Sequence, residues 1–299
     1  MSIEAALTAH ENYHGACGGR VQVWMAAGTP RGSSESAHKA IGDACMRHNI
    51  GLTMHCAEAP EDLSIFHDAY SCSPIEFCER TNLIGEGRCT VLAHMVNLDL
   101  DKDLLLLHRT GATVAHNPSS NCKLASGIAA VPQMLAEKIN VSLGTDGAPC
   151  ANTYDMIQEM RLAALIQKGI HQNAQVMSAD EVLAMATING AKALGLDHDI
   201  GSLEPGKKAD LVVIDPSGLH CAPFDAEQIT RGGVDPITTV VYSCTGADVG
   251  MVMVDGQILV ENRKLVNLDE TQIALQARKT IERVRGRAQM CSEPSRKYR

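Results

Sequence analysis

Short apolar runs, several of them rich in β-branched residues, alternate with longer stretches of helical periodicity from residue 20 to residue 195. That alternation is the pattern of parallel βα units. It predicts strands at residues 21–25, 50–53, 89–92, 112–114 and 141–143. Helices are predicted at 34–49 behind a Ser-rich cap, at 74–79 with Pro74 in the first turn, at 101–109, at 131–138 and at 153–168. One more, at 178–194, is capped by Ser178 and ended by Gly195. Beyond Gly195 the texture changes. A turn-rich run at 201–210 leads into a strand at 211–214, and the Asp255-Gly256 pair joins two strands at 249–254 and 257–260 into a hairpin. Residues 271–287 read as a charged helix followed by a frayed basic end. The expected organisation is a barrel segment at 1–195, a β module with a barrel-packing segment at 196–268, and a terminal helix and tail at 269–299.

The strand ends carry the candidate chemistry. Four strands run into Met54-His55-Cys56-Ala57-Glu58, Ala93-His94, Ala115-His116-Asn117-Pro118 and Gly144-Thr145-Asp146-Gly147. Strand ends bearing His, His, His and Asp place reactive groups on one rim of a parallel barrel, the rim that carries the active site in (β/α)8 enzymes. A divalent ion that makes hydroxide from water takes neutral imidazole and carboxylate ligands and keeps one position open. His55 and Asp146 suit the ligand roles, and Glu58 suits a proton carrier between the attacking water and the leaving group. His94 is placed to orient or polarise that water, while His116 has the least defined task.

Composition narrows the setting. The 299 residues are 45% hydrophobic but only 3% aromatic, so the core must be built from aliphatic side chains and Met. A net charge of −9 argues against binding the nucleic-acid backbone. Eleven cysteines without a C-x-x-C pair read as reduced thiols of a cytoplasmic protein rather than a disulfide framework or a structural zinc cluster. No apolar run reaches 18 residues, and residues 1–7 lack the basic start of a signal peptide, so neither a membrane span nor a secreted leader is expected.

Taken together, His55-Cys56-Ala57-Glu58, Ala93-His94, the long segment from His116 to Ile128, and Leu143-Gly144-Thr145-Asp146-Gly147 resemble the amidohydrolase superfamily. The likeness is to its aminohydrolase and chlorohydrolase branch, which includes S-adenosylhomocysteine and methylthioadenosine deaminases, guanine deaminases and s-triazine hydrolases. The tail is similar too, at residues 201–215 and from Val240 through Gly246 and Asp248 to Gly256. The resemblance implies a (β/α)8 TIM-type barrel with a small β-sandwich module, and one divalent metal, zinc with iron as the alternative. It makes His55 the strand-five metal ligand, Glu58 the proton relay, His94 the strand-six contact to the hydroxide, and Asp146 the strand-eight ligand and base. His116 would close strand seven, with Asn117 and Asn121 lining the mouth toward a small N-heterocyclic substrate. The implied reaction is hydrolytic deamination of an aminopurine or similar ring, with triazine-type hydrolysis as the alternative; a homo-oligomer is left open.

One part of the pattern is missing. The family's His-x-His pair from strand one has no counterpart here, and strands one to three are expected to be absent. The sequence then reads as a fragment of a longer enzyme, or as a shortened paralogue that is inactive or completed by a partner chain. His10 and His14 have helical spacing but precede the first strand in the manner of a linker.

Overall fold

The computed structural model describes residues 2–231 and 233–288. Five strands, β1 (Met25–Ala26), β2 (Leu52–Cys56), β3 (Thr90–His94), β4 (Thr113–His116) and β5 (Val141–Leu143), form one parallel sheet in chain order. Helices cross between them, including Glu35–His48, Leu100–Thr110 and Val131–Ala136. Strictly sequential order is the winding of a (β/α)8 barrel rather than of a doubly wound sheet, which reverses at a switch point. The five strands are an arc of that barrel. Register sets the rim: Cys56 lies opposite His94, Ala93 opposite Ala115, and His116 opposite Leu143.

Burial alternates along β2, with Leu52, Met54 and Cys56 covered and Thr53 and His55 exposed. The covered face joins Leu92, Val114 and Val141 in a core of aliphatic and Met side chains under the helices. The opposite face, which points into the lumen of a closed barrel, is open at Thr53 and His55. The outer edge of β5 is protected. Asn189 Nδ2 donates to Val141 O at 3.0 Å, and Asn140 Nδ2 donates to Asn189 O at 3.0 Å. Side-chain amides thus occupy backbone positions that a further strand would otherwise take.

That edge explains a departure from the expected 178–194 helix. The chain forms Ala179–Ala186 and Ile188–Ala193, broken at Thr187, whose hydroxyl donates to Leu183 O at 2.7 Å. The break delivers Asn189 to β5, and the cap at Ser178 and the left-handed Gly195 both stand where the sequence placed them. The strand expected at 21–25 shrinks to Met25–Ala26. Upstream, Val23 is held by imidazoles, with His10 Nδ1 donating to Val23 O at 2.7 Å and Val23 N–H donating to His14 Nδ1 at 3.2 Å. The helix Asp62–Tyr70 was not signalled by the pattern.

Gly42 marks a close approach. A Cβ there would meet the backbone of Thr81 and Asn82, where the helix Glu35–His48 rests on the turn after Pro74–Arg80. Backbone cannot step aside as a flexible side chain can. Gly42→Ala is therefore expected to destabilise the fold by about 1–3 kcal/mol from overpacking, less the ~1 kcal/mol that Ala gains in a helix. A urea-unfolding midpoint equal to or above wild type would show that the contact yields.

The second sheet is antiparallel, in the order β6 (Leu211–Ile214), β7 (Val249–Val254), β8 (Gln257–Glu261), β9 (Lys264–Leu265). Asp255 and Gly256 have φ of 50° and 75°, the backbone of the tight hairpin turn their sequence predicts. The described residues supply one layer of the expected sandwich. Between β6 and β7, Cys221, Val241 and Cys244 enter the barrel core, so the module is seated on the barrel. The helix Glu270–Arg287 buries none of its residues, and the expected basic tail beyond it lies outside the described residues. No described helix is long and apolar enough to cross a membrane.

Candidate active site

Four non-glycine residues at the strand ends adopt left-handed backbone: Ala57 (φ 49°), His94 (78°), Met95 (52°) and Asp146 (58°). Such conformations cost free energy for side chains with a Cβ and gather where geometry serves function. Here each turns the chain sharply as it leaves the sheet. The turns interlock, since Met95 N–H donates to Cys56 O at 3.1 Å, and the N–H groups of Val96 and Asn97 both donate to Ala57 O at 2.9 Å. Asn97 Nδ2 also donates to Glu58 O at 2.9 Å, which fixes the backbone beneath the Glu58 carboxylate.

His55 donates from Nδ1 to Gly28 O at 3.1 Å, leaving the Nε2 lone pair directed away from that contact. Its ring stacks on His94, with centroids 5.4 Å apart and an interplanar angle of 18°. His94 is 1% exposed, and its Nδ1–H donates to Asn121 Oδ1 at 2.8 Å. In the neutral ring that bond leaves the lone pair on Nε2, which stands 3.9 Å from Glu58 Oε2. Asn121, expected at the mouth, thus orients His94 as well, and its Nδ2 is buried without a partner.

Asp146 accepts Ser120 Oγ–H at 2.6 Å and the Gly147 N–H at 2.7 Å. Partial burial would raise its pKa, but those two bonds and the nearby His94 outweigh it and hold the carboxyl below the usual range. Ser120 carried no signal of its own in the sequence, although it lies inside the distinctive 116–128 segment. His116 is 1% exposed, and neither ring nitrogen has a partner. Burial, helped by the neighbouring His94, pushes its pKa down to about 4, so it stands neutral. Asn117 is buried and packs over Gly144, where a Cβ would collide with Asn117 Oδ1.

The structure therefore brings His55, Glu58 and His94 together, with Asp146 near His94. It does not assemble a complete metal centre from them. Among the described residues, the group of three or more donors lying within 4.8 Å of one another is elsewhere, at His220, Cys221 and Asp248. His55 Nε2 and the Asp146 carboxylate have the right chemistry for a divalent ion, but two donors fall short of the three that a catalytic zinc site requires. His10 and His14 hold the Val23 backbone through Nδ1 and belong to no group of three converging donors among the described residues.

Comparison with known proteins accounts for this arrangement. The profile of the amidohydrolase family matches residues 3–259. A 5-methylthioadenosine/S-adenosylhomocysteine deaminase of Acetivibrio thermocellus is 38% identical over 266 residues, covering 89% of this chain and 59% of its own length. A 5'-deoxyadenosine deaminase of Methanobrevibacter smithii is 35% identical over 283 residues, covering 95% of this chain and 62% of its own. The chain thus spans about three-fifths of these curated relatives. Among solved structures, a zinc-bound adenosine deaminase of Xanthomonas campestris superposes with a TM-score of 0.86 at 26% identity, over 95% of this chain and 61% of that one. A zinc complex of atrazine chlorohydrolase from Arthrobacter aurescens gives 0.81 at 25%, over 93% and 59%. The sequential parallel strands, the acid and imidazoles on their common rim and the match along nearly the whole chain have one explanation: the chain belongs to the amidohydrolase family.

Proposed function

We propose that the protein is a hydrolytic deaminase of an adenosine-like purine, replacing the exocyclic amine of the ring with oxygen from water and releasing ammonia. The observation that carries the reading is the Glu58 carboxylate 3.9 Å from Nε2 of His94, on the rim next to His55. In this reading Asp146, kept ionised by Ser120 and Gly147, takes a proton from the attacking water. His94 Nε2 accepts a hydrogen bond from that water and orients it. Glu58 carries the water's other proton to the ring nitrogen, and the proton held by Asp146 goes to the departing amine, so that the oxygen ends as the ring carbonyl and ammonia leaves. Asn117 and Asn121 line the mouth on the side of β4. His55 and Asp146 are this chain's residues for zinc, with iron as the alternative, and such an ion needs at least one more donor than they supply. The barrel segment carries the chemistry, with residues 196–268 as its support.

The relatives' names favour purine substrates, and the chlorohydrolase neighbour makes triazine hydrolysis the second reading. The test is ammonia release from 5'-methylthioadenosine, S-adenosylhomocysteine and 5'-deoxyadenosine by the chain completed with a His-x-His strand segment, with and without added zinc. Zinc-dependent ammonia from one of the three is expected. Chloride release from atrazine with no ammonia from the nucleosides would favour the second reading, and no turnover of any of them would overturn the deaminase assignment.

A further inference from the structure

A second cluster of metal-binding side chains lies away from the strand ends. His220 and Cys221 sit on the short turn Leu219–Cys221 after β6, and Asp248 ends the turn Gly246–Asp248 that enters β7. One donor atom from each lies within 4.8 Å of the other two. His220 Nε2 is 3.0 Å from Asp248 Oδ2, and Cys221 Sγ is 3.6 Å from Cys244 Sγ. Asp248, Cys221 and Cys244 are all at most 5% exposed, while the His220 side chain is 49% exposed and forms the open side.

We propose that His220, Cys221 and Asp248 form a binding site for a zinc-class divalent cation distinct from the strand-end site, with the Cys244 thiol beside Cys221. Imidazole, thiolate and carboxylate are the ligands such an ion takes, at about 2.0–2.3 Å. Cys221 and Cys244 are free thiols 3.6 Å apart, whereas a disulfide holds its sulfurs at about 2.05 Å. Asp248 is already oriented, because Oδ2 accepts Thr245 N–H at 2.8 Å and Thr245 Oγ1–H at 3.1 Å. The Cys221 thiol would release its proton on binding such an ion.

Such an ion would take its donors from two separate turns of the chain. It would tie the Leu219–Cys221 turn to the start of β7. Asp248 O accepts the Asp215 N–H at 2.8 Å, and Gly246 N–H reaches Asp155 Oδ2 at 2.9 Å, at the cap of the barrel helix Met156–His171. The ion would thus fasten the β module to the barrel, and His220 swinging outward would admit it.

The test is titration of the reduced, purified chain with Co2+ followed by displacement with Zn2+. The expected result is one equivalent of Co2+ giving a thiolate-to-cobalt charge-transfer band, lost on zinc addition. Cys221→Ser should abolish the band, and His220→Gln should weaken Co2+ binding by about tenfold or more. His55→Ala with Asp146→Asn should leave it intact, which separates this site from the strand-end residues. If Cys221→Ser fails to fold, the half-exposed His220 variant decides. No band in the reduced wild type, or a band of unchanged affinity in His220→Gln, would overturn the proposal, as would a Cys221–Cys244 disulfide forming in the presence of zinc.

Discussion

In the proposed deaminase completed with the missing metal donors, Glu58→Gln is expected to lower kcat by about 10²–10⁴, the usual contribution of a positioned general acid/base. The substitution keeps the shape of the side chain and its polar contact toward His94 but removes the group that carries a proton. Because Asn97 holds the Glu58 backbone and not its carboxylate, the local turn should persist. Glu58 is also outside the pair assigned to the metal, so metal content should be unchanged. The assay is ammonia release at saturating substrate, alongside elemental analysis of the protein. A variant with wild-type kcat would remove Glu58 from the proton relay; one that lost metal as well would make it a ligand.

The second large effect is in the pH dependence of stability, where two buried groups oppose each other. His116 has its pKa lowered by burial from 6.5 to about 4. Between those values the unfolded chain binds the extra proton, so His116 stabilises the fold above pH 6.5 and that stability is lost as pH falls toward 4. Asp103, on the helix Leu100–Thr110, has its pKa raised from 3.8 to about 6. Burial dominates over the hydrogen bonds from Ser73 Oγ and Asp99 N–H. Here the folded chain binds the extra proton, so stability falls as pH rises from about 4 to about 6. Each group spans two or more pH units, worth about 3 kcal/mol at full size. Their contributions largely cancel across pH 4–6. Asp103→Asn should unmask His116, with stability climbing steadily from pH 4 to 6.5. His116→Gln should unmask Asp103 and reverse that slope. Denaturant midpoints measured at half-unit intervals decide the matter, and parallel profiles in both variants would show that neither group titrates as described.

Local signals read well where the chain itself enforces them. Ser34 and Ser178 cap helices because each hydroxyl accepts an N–H three residues on, and Asp255-Gly256 makes its hairpin because both residues accept positive φ. The strand-end set was legible for a related reason: an apolar run followed by His or Asp states both the strand and what hangs from its end. The sequence could not show that the 178–194 helix breaks at Thr187, since the break is set by an edge amide contact 48 residues away in the chain, from Asn189 to Val141. Nor could it show that Val23 would be taken from the first strand by His10 and His14.

The site divides in the same way. Residue types and their order determined the family, the rim on which the chemistry sits, and the shortage of metal donors, because these depend on which side chains exist and where strands end. Tertiary structure alone decided that His94 Nδ1 meets Asn121 and its Nε2 faces Glu58, that Asp146 is held by Ser120, and that His220, Cys221 and Asp248 converge. Those are facts of distance between residues far apart in the chain. A ring orientation, a depressed carboxyl pKa and a donor cluster all arise from neighbours that only the packed fold supplies.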